Sequence, residues 1–261
     1  MDSSLRGQKQ VEIIIADGGS TDGQTLKYYD ILRRNGAAKV FCGKGMPMPA
    51  LLNAAAKEAD RENCLFMDSN VEALGINWLY DMLSQSERRG CGGVGPKLIG
   101  QDGRLVYTGI TIGIGGWQGS PYAGTPDDRE SGQKLRFTGT LRTVSALSWV
   151  CMMTPMDLFF NTGCFDESFN ETGFDTEYCT RLDRRGYSLI YAPNVVMKYH
   201  GRIQKVADAD GQDRMRYYDT VRDTLIRGDP RYNNNFDYAL PSPRIAVRPR
   251  PAAELNELYR K

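Results

Sequence analysis

The chain has 261 residues, with 33 Lys and Arg against 32 Asp and Glu and a formal net charge of +1. This length suffices for one large α/β domain or two small ones, and 41% hydrophobic residues is typical of a globular protein. The near-zero net charge argues against a nucleic-acid partner bound through a global basic field. The longest uncharged apolar stretch, residues 144–153, is about half the span that a bilayer requires.

Histidine and cysteine usage excludes several enzyme classes. The single histidine, His200, excludes zincins, His-rich metal sites and zinc deaminases, and no G-x-S-x-G sequence supports a hydrolytic triad. Six cysteines without a C-x-x-C pair indicate neither a zinc ribbon nor a disulfide scaffold. No basic and then apolar leader precedes Val11, so we expect no signal peptide and a reduced, cytoplasmic setting.

The first half of the chain predicts alternating strands and helices. Strands are expected at 11–16, 39–42 and 64–67, and helices at 25–34, 49–59 and 77–89. The run VEIIIA predicts a strand that is buried in a parallel sheet. Such βαβ sheets bind ligands beyond the carboxyl ends of their strands. Asp17, Asp22 and Asp68 follow two of these ends, which makes them candidate ligand-binding residues.

The second half is less regular. Strands are expected at 93–99, 104–114, 144–154, 189–192 and 195–199, and helices at 155–161, 176–185 and 214–227. Residues 113–139 form a Gly-, Pro- and charge-rich segment, and a long loop in a compact domain is usually functional or disordered. The charged tail after Arg244 fits either a solvated or a membrane-peripheral segment.

Four blocks carry the sequence signature of this chain. They are VEIIIADGGSTDG, LLNAAAKEADRENCLFMDSN, TGCFDESFNETGFDTEYCTRLDRRGYSLIYAPNVVMKYH and GDPRYNNNF. The first block is similar to a strand ending in D-x-G-S-T-D, and the second contains Asp68-Ser69-Asn70 in place of a D-x-D motif. The third is similar to the series G-x-F-D-E-x-F, E-D-x-D-x-x-x-R, G-Y and a closing strand that ends in His. The fourth is similar to D-P-Y-Y-N-P-N. In this order, over residues 11–236, the four blocks resemble the family 2 inverting glycosyltransferases of the GT-A fold, especially the rhamnosyltransferase and O-antigen type.

The resemblance implies an architecture and an activity. The fold would be a GT-A-like α/β domain, N-terminally shortened, with a mixed, mostly parallel sheet flanked by helices. We expect a catalytic domain at 1–200, with a donor half at 11–100 and an acceptor half at 101–200, and a helical or irregular extension at 201–261. The activity would be transfer of a sugar from a nucleotide-diphosphate donor to a carbohydrate or lipid-linked acceptor hydroxyl, with inversion. The resemblance places it in cell-surface polysaccharide synthesis, in the cytoplasm or at the inner face of the membrane.

The resemblance also assigns donor-binding residues. Asp17 matches the base-contacting aspartate, Asp68 the ribose or metal contact, and Asp22 a further donor-binding position. A divalent cation, Mg²⁺ or Mn²⁺, that bridges a diphosphate needs hard oxygen ligands and stabilises the leaving group as a Lewis acid. Asp68, Asn70 and His200 are the candidate metal ligands. A turn role for Asn70 and a structural role for His200 are the alternatives.

An inverting transfer needs a carboxylate that takes the proton of the acceptor hydroxyl. Asp175 matches the aspartate of the E-D pair and is the candidate catalytic base. Glu177 and Arg181 match the next acidic position and the arginine of the motif. Trp149 lies where the acceptor loop of the family approaches the site, and Trp117 is a second candidate for stacking on a sugar.

Each carboxylate also has a purely structural interpretation. Asp17 and Asp22, in a turn of Gly, Ser and Thr, fit cap and turn positions. Asp175 fits the first turn of a helix, where the dipole favours an acid. Glu177 and Arg181, four residues apart, fit an ion pair on one helix face.

Three features depart from the family pattern. Asn70 replaces the second carboxylate of D-x-D, Phe174 replaces the glutamate of E-D, and only ten residues precede Val11, where the family has a strand and a helix. The alternative function is therefore a catalytically silent or split subunit that binds or assembles, with a partner chain supplying that strand. A nucleotidyltransferase is a further alternative, which lacks the support of a Gly-rich phosphate loop with Lys.

Overall fold

The structure is a computed structural model that describes residues 11–127, 137–203, 208–241 and 243–246. The strands are β1 (Ile14–Asp17), β2 (Lys39–Cys42), β3 (Asn63–Met67), β4 (Val71–Ala73), β5 (Cys91–Ile99), β6 (Leu105–Tyr107), β7 (Thr111–Ile112), β8 (Gln118–Gly119), β9 (Arg142–Thr143), β10 (Cys151–Pro155) and β11 (Ser188–Tyr199). The helices are α1 (Gly23–Arg34), α2 (Met48–Ala56), α3 (Trp78–Ser86), α4 (Met156–Asn161), α5 (Phe174–Arg184) and α6 (Gly211–Arg227).

The main sheet has the strand order β3-β10-β5-β11-β4, with β6 paired to β5 and β9 paired to β11. The expected mixed sheet flanked by helices is confirmed. Among the described residues, its pairings are mainly antiparallel rather than mainly parallel, since only β5–β11 runs parallel within it. The separate β1–β2 pair is also parallel. The reason for the antiparallel pairing is that the second half of the chain contributes short antiparallel strands. Neighbouring strands such as β5 and β6 are joined by a short connection, whereas parallel strands would need a crossover helix.

Strand β1 is less buried than its apolar sequence predicts. Residues 11–16 are all only half-buried, while Asp17 is buried. Among the described residues, β1 pairs with β2 alone and β3 pairs with β10 alone, so each has one edge without a neighbouring strand. The predicted burial within a parallel sheet is wrong because β1 has a neighbour on one side only.

The predicted strands of the second half differ in their extents. The strand expected at 104–114 is split at Gly109, whose φ of 88° interrupts an extended backbone and whose Cβ position would lie 2.5 Å from Val144. Residues 144–150 form a loop, and only β10 remains of the strand expected there. The two strands expected at 189–199 are one strand, β11, with a register shift between Ala192 and Val196. Part of the expected loop, 128–136, lies outside the described residues.

The core lies between the main sheet and helices α3, α4 and α5. Four buried aromatic rings from β3, α4, the loop after α4 and α5 pack with centroid separations of 4.8 to 5.4 Å; they are Phe66, Phe159, Phe165 and Tyr178. This cluster fixes α5 against the end of β3, which is where the candidate site lies. Over the described ranges, no helix has both the length and the apolar character needed to span a membrane.

The described part of the predicted extension packs onto the rest of the chain. Helix α6 contacts α5, and the segment that follows it donates or accepts backbone hydrogen bonds with the Gly-rich region. The N–H of Gly115 donates to the carbonyl of Tyr238 at 2.7 Å, and that of Tyr122 donates to Pro241 at 2.7 Å. The boundary at residue 200 stays a prediction.

Candidate functional site

The turn after β3 presents a carboxylate and an amide side by side. Asp68 Oδ1 accepts the backbone N–H of Asn70 at 2.7 Å and its side-chain Nδ2 at 2.8 Å. The turn closes when the N–H of Val71 donates to the Asp68 carbonyl at 3.0 Å. Asp68 is half-buried and Asn70 exposed, so the amide replaces the second carboxylate without removing the turn.

A two-residue segment connects Asp68 to Asp175. The carbonyl of Val150 accepts the N–H of Asp68 at 2.9 Å, and the N–H of Trp149 donates to Asp175 Oδ2 at 3.2 Å. The structure therefore brings three predicted site residues, Asp68, Trp149 and Asp175, to one edge of the sheet.

Asp175 is a buried carboxyl group in the first turn of α5. It is 6% exposed, and its Oδ1 accepts the N–H of Thr176 at 2.8 Å. Burial raises the pKa of Asp175 to about 6, although the Trp149 and Thr176 N–H groups and the Ser148 hydroxyl oppose the shift. A carboxyl group with this pKa exchanges a proton near neutral pH, as a general base must.

Aromatic and polar side chains surround Asp175. The Trp149 ring stacks on Phe174 with a centroid separation of 6.2 Å and an interplanar angle of 30°. Phe174, which replaces an acid of the family pattern, is 0% exposed and thus belongs to the core. On the other side, the Thr176 hydroxyl donates to Gln118 Oε1 at 2.7 Å.

His200 lies beside the Asp68–Asn70 turn. Its N–H donates to the Asn70 carbonyl at 2.9 Å, since β11 pairs with β4. Its ring Nε2 is 2.8 Å from Glu72 Oε2, and its Nδ1 is 3.0 Å from Gln101 Nε2. An amide nitrogen only donates, so Nδ1 accepts and Nε2 carries the proton. Both ring nitrogens are thus hydrogen bonded, and within the described ranges no three His, Cys, Asp or Glu side chains group as a metal site.

Asp17 and Asp22 make hydrogen bonds within their own turn and helix. Asp17 accepts the N–H of Ser20 at 3.0 Å and its hydroxyl at 2.6 Å, and the hydroxyl bond holds the pKa of Asp17 below its usual value despite burial. Asp22 caps α1 by accepting the N–H of Thr25 at 2.8 Å, which lowers its pKa. Asp22 therefore has the cap geometry that its sequence context also suggested.

Glu177 and Arg181 form a two-pronged ion pair on α5. Arg181 Nε and Nη2 each lie 2.7 Å from a Glu177 carboxylate oxygen, and the guanidinium also donates to the carbonyls of Thr162 and Cys164. A cavity of about 530 Å³ is lined by this pair together with Lys57 and other residues, but not by Asp175. The pair therefore ties α5 to the preceding loop.

Sequence reasoning missed several residues of this site. They are Glu72, Gln101, Gln118 and Ser148. All four are polar residues whose partners in the site are distant in sequence, so no short-range pattern marks them.

Two curated proteins are similar to this chain, while no family model matches it. It is 28% identical over 224 residues to the O-antigen biosynthesis protein RfbC of Myxococcus xanthus, which corresponds to 85% of this chain and 18% of that protein. It is 27% identical over 254 residues to the uncharacterized protein y4gI of Sinorhizobium fredii, or 90% of this chain and 27% of that protein. The chain therefore spans less than a third of the length of these relatives.

Solved structures share the fold. GalNAc-T7 in complex with UDP, GalNAc and Mn²⁺ superposes with a TM-score of 0.60 and 16% identity, over 81% of this chain and 41% of that chain. The mannosyltransferase PcManGT of Pyrobaculum calidifontis, in complex with GDP-Man and Mn²⁺, gives a TM-score of 0.53 and 15% identity, over 85% of this chain and 56% of that chain. The fold of this chain is thus of the GT-A type, as the sequence predicted.

Proposed function

We propose that this protein transfers a sugar from a nucleotide-diphosphate donor to a hydroxyl of a carbohydrate or lipid-linked acceptor, with inversion at the anomeric carbon. The observation that carries the proposal is the pairing of Asp175 with Asp68 through the Trp149–Val150 segment. One carboxyl group is buried with a pKa of about 6, and the other lies half-buried at the end of a strand in a GT-A fold.

In this mechanism Asp175 is the base. Its carboxylate takes the proton of the acceptor hydroxyl while the oxygen attacks the anomeric carbon from the face opposite the nucleotide. The new C–O bond forms as the bond to the diphosphate breaks, and the nucleoside diphosphate leaves with the electron pair. The N–H groups of Trp149 and Thr176 fix both carboxylate oxygens, so the base is held in one orientation. Trp149, stacked on Phe174, provides an aromatic surface beside it for the acceptor.

The donor would bind at the ends of β1 and β3, through Asp17 and Asp68. Asp68 Oδ2 and the Asn70 amide oxygen are hard ligands that fit Mg²⁺ or Mn²⁺, which proteins commonly bind through one or two carboxylates plus substrate phosphates. When bound, the cation supplies charge neutralisation at the diphosphate. His200 would join as a ligand only by giving up its hydrogen bond to Glu72 or Gln101.

The relatives suggest where the reaction belongs. One of them is an O-antigen biosynthesis protein, and the two solved structures described above hold a nucleotide or nucleotide sugar with Mn²⁺. We therefore place the reaction in cell-surface polysaccharide synthesis, on the cytoplasmic side of the membrane. This part of the proposal depends on the similarity to these proteins and on the shared fold.

Thermal stabilisation by donor nucleotides tests the donor site. The purified chain is heated with UDP-, GDP- and dTDP-sugars, each with and without Mn²⁺, beside Asp68→Ala and the matched exposed control Asp30→Ala. We expect one nucleotide to raise Tm in a metal-dependent way in the protein and in Asp30→Ala, and not in Asp68→Ala. No shift with any donor would contradict the donor site.

A second variant tests the base. Asp175→Asn should reduce transfer by roughly 10³-fold or more, because the general base is lost, while donor affinity stays within about two-fold. Transfer is followed as nucleoside diphosphate release in the presence of acceptor. Equal losses of donor binding and transfer would contradict the assigned role.

The alternative function is a silent or split subunit. The edges of β1 and β3 that carry no neighbouring strand among the described residues favour it, because a strand from a partner chain would fit such edges. This alternative predicts that the isolated chain binds nucleotide without transferring from any donor, and that an added partner restores transfer.

A further inference from the structure

Helix α6 buries an acid on its apolar face. Its buried residues repeat every four positions as Asp213, Tyr217, Val221 and Leu225, and each is at most 2% exposed. A stripe of this spacing packs against the core, where an acid is rarely found without partners. The buried carboxylate of Asp213 therefore needs hydrogen-bond donors around it.

The Asp213 carboxylate binds three successive backbone N–H groups. Its Oδ1 accepts from Asn170 at 2.8 Å, and its Oδ2 accepts from Glu171 at 3.0 Å and Thr172 at 3.1 Å. These residues directly precede Gly173, from which α5 begins. An ionised carboxylate offers acceptors only, whereas an amide at this position would turn its own N–H₂ toward one of the N–H groups.

Tyr217, one turn along the same face, contacts both flanks of the site. A Cβ on Gly173 would lie 3.2 Å from the Tyr217 ring, so the ring packs directly on the start of α5. Its hydroxyl donates to the carbonyl of Trp117 at 2.8 Å. Gln118, the next residue, accepts from the hydroxyl of Thr176, the neighbour of Asp175.

We propose that Asp213 is a positioning residue for Asp175. By holding residues 170–172, it sets where α5 begins and hence where the carboxylate of Asp175 stands relative to Asp68. Tyr217 assists by holding the Trp117–Gln118 segment against the same helix. The kinetic part of this inference rests on the proposed function, while the structural part does not. The described part of the segment after residue 200 would then act on the site through the position of α5.

The experiment compares Asp213→Asn with Tyr217→Phe and with Val221→Ala. Val221 is buried on the same face of α6, and its truncation weakens the packing of the helix while the Asp213 hydrogen bonds to residues 170–172 are kept. Two readouts are used. Amide hydrogen exchange at 170–172 reports the loop without any substrate, and transfer kinetics, with their pH profile, report the placement of the base.

We expect Asp213→Asn to speed amide exchange at 170–172 by about ten-fold or more, beyond the change in Val221→Ala. In transfer assays it should lower kcat by about ten-fold and shift the acid limb of the pH profile, with the KM for the donor within two-fold. Tyr217→Phe should lower kcat by less than Asp213→Asn does. Val221→Ala should lower Tm but leave kcat and the acid limb of the pH profile unchanged.

Equal exchange rates at 170–172 in Asp213→Asn and Val221→Ala would overturn the inference. The inference would also be overturned if Asp213→Asn and Val221→Ala had the same kcat and the same acid limb in their pH profiles. If the unmodified chain transfers no sugar from any donor, the proposed function fails, and the exchange comparison alone then decides whether Asp213 holds the loop.

Discussion

The contribution of Asp175 to stability should depend on pH with a sign opposite to that of an acid whose pKa is lowered by folding, and comparison with Asp175→Asn measures it. Burial raises the pKa of Asp175 from 3.8 to about 6, so the folded protein holds a proton that the unfolded chain has lost between these values. Stability from this group is therefore present at low pH and is lost as pH rises through about 6.

The magnitude follows from the shift. A displacement of about 2 units corresponds to about 3 kcal/mol in total, of which about 2 kcal/mol falls between about pH 4.5 and 8. Relative to Asp175→Asn, the unmodified protein should thus lose about 2 kcal/mol of unfolding free energy over this interval. The variant has a constant offset as well, because asparagine has one acceptor oxygen for the two N–H groups of Trp149 and Thr176.

Urea unfolding of both proteins at several pH values measures the difference directly, since all other titrating groups cancel. Asp17→Asn is the matched control. Asp17 is equally buried, but its hydrogen bond to the Ser20 hydroxyl lowers its pKa, so there the unmodified protein should gain stability over its variant as pH rises through the acid range. A pH-independent difference for Asp175→Asn would refute the conclusion that burial sets its pKa.

Two further substitutions test how the C-terminal segment and the start of α5 are held. Asp229→Ala should lower the unfolding free energy by about 3 kcal/mol or more, because this fully buried carboxylate accepts from Ser145, Ile112 and Arg231. Urea unfolding measures it, and a loss below about 1 kcal/mol would contradict the assigned contacts. Gly173→Ala should cost about 1 to 2 kcal/mol from its φ of 95° alone, with a lower Tm, and an unchanged Tm would show that α5 begins elsewhere.

Much of the first half of the fold could be predicted from the sequence, because local patterns specify it. The strand at 39–42 is found at the predicted residues, and the helix predicted at 25–34 begins only two residues earlier, where Asp22 caps it. The strand predicted at 144–154 was mostly wrong. Its apolar residues are buried in a loop, and apolar sequence reports burial without distinguishing a strand from a buried loop.

The candidate site could be predicted only in part. Asp68 and Asp175 were found through motifs, and the structure brings them together, but their roles stay predictions. Glu72 and Gln101, which occupy the ring nitrogens of His200, could not be found, because they meet it only through the pairing of β4 with β11 and the loop after β5. Contacts made across a sheet leave no short-range pattern in a sequence.

The isolated β1–β2 pair has a consequence for cooperativity. In the described residues it shares no strand pairing with the main sheet. Helix α2 contacts β1, and the N–H of Asp60 donates to Glu12 at 3.0 Å. Lys39 Nζ donates to the Glu58 carbonyl at 2.9 Å. Such a unit opens with a smaller free energy than the whole molecule. A donor that touches both Asp17 and Asp68 binds only when this unit is closed. The closed population of this unit should therefore rise with donor concentration. Once the donor concentration exceeds Kd, each further ten-fold increase should raise amide protection in β2 by about ten-fold.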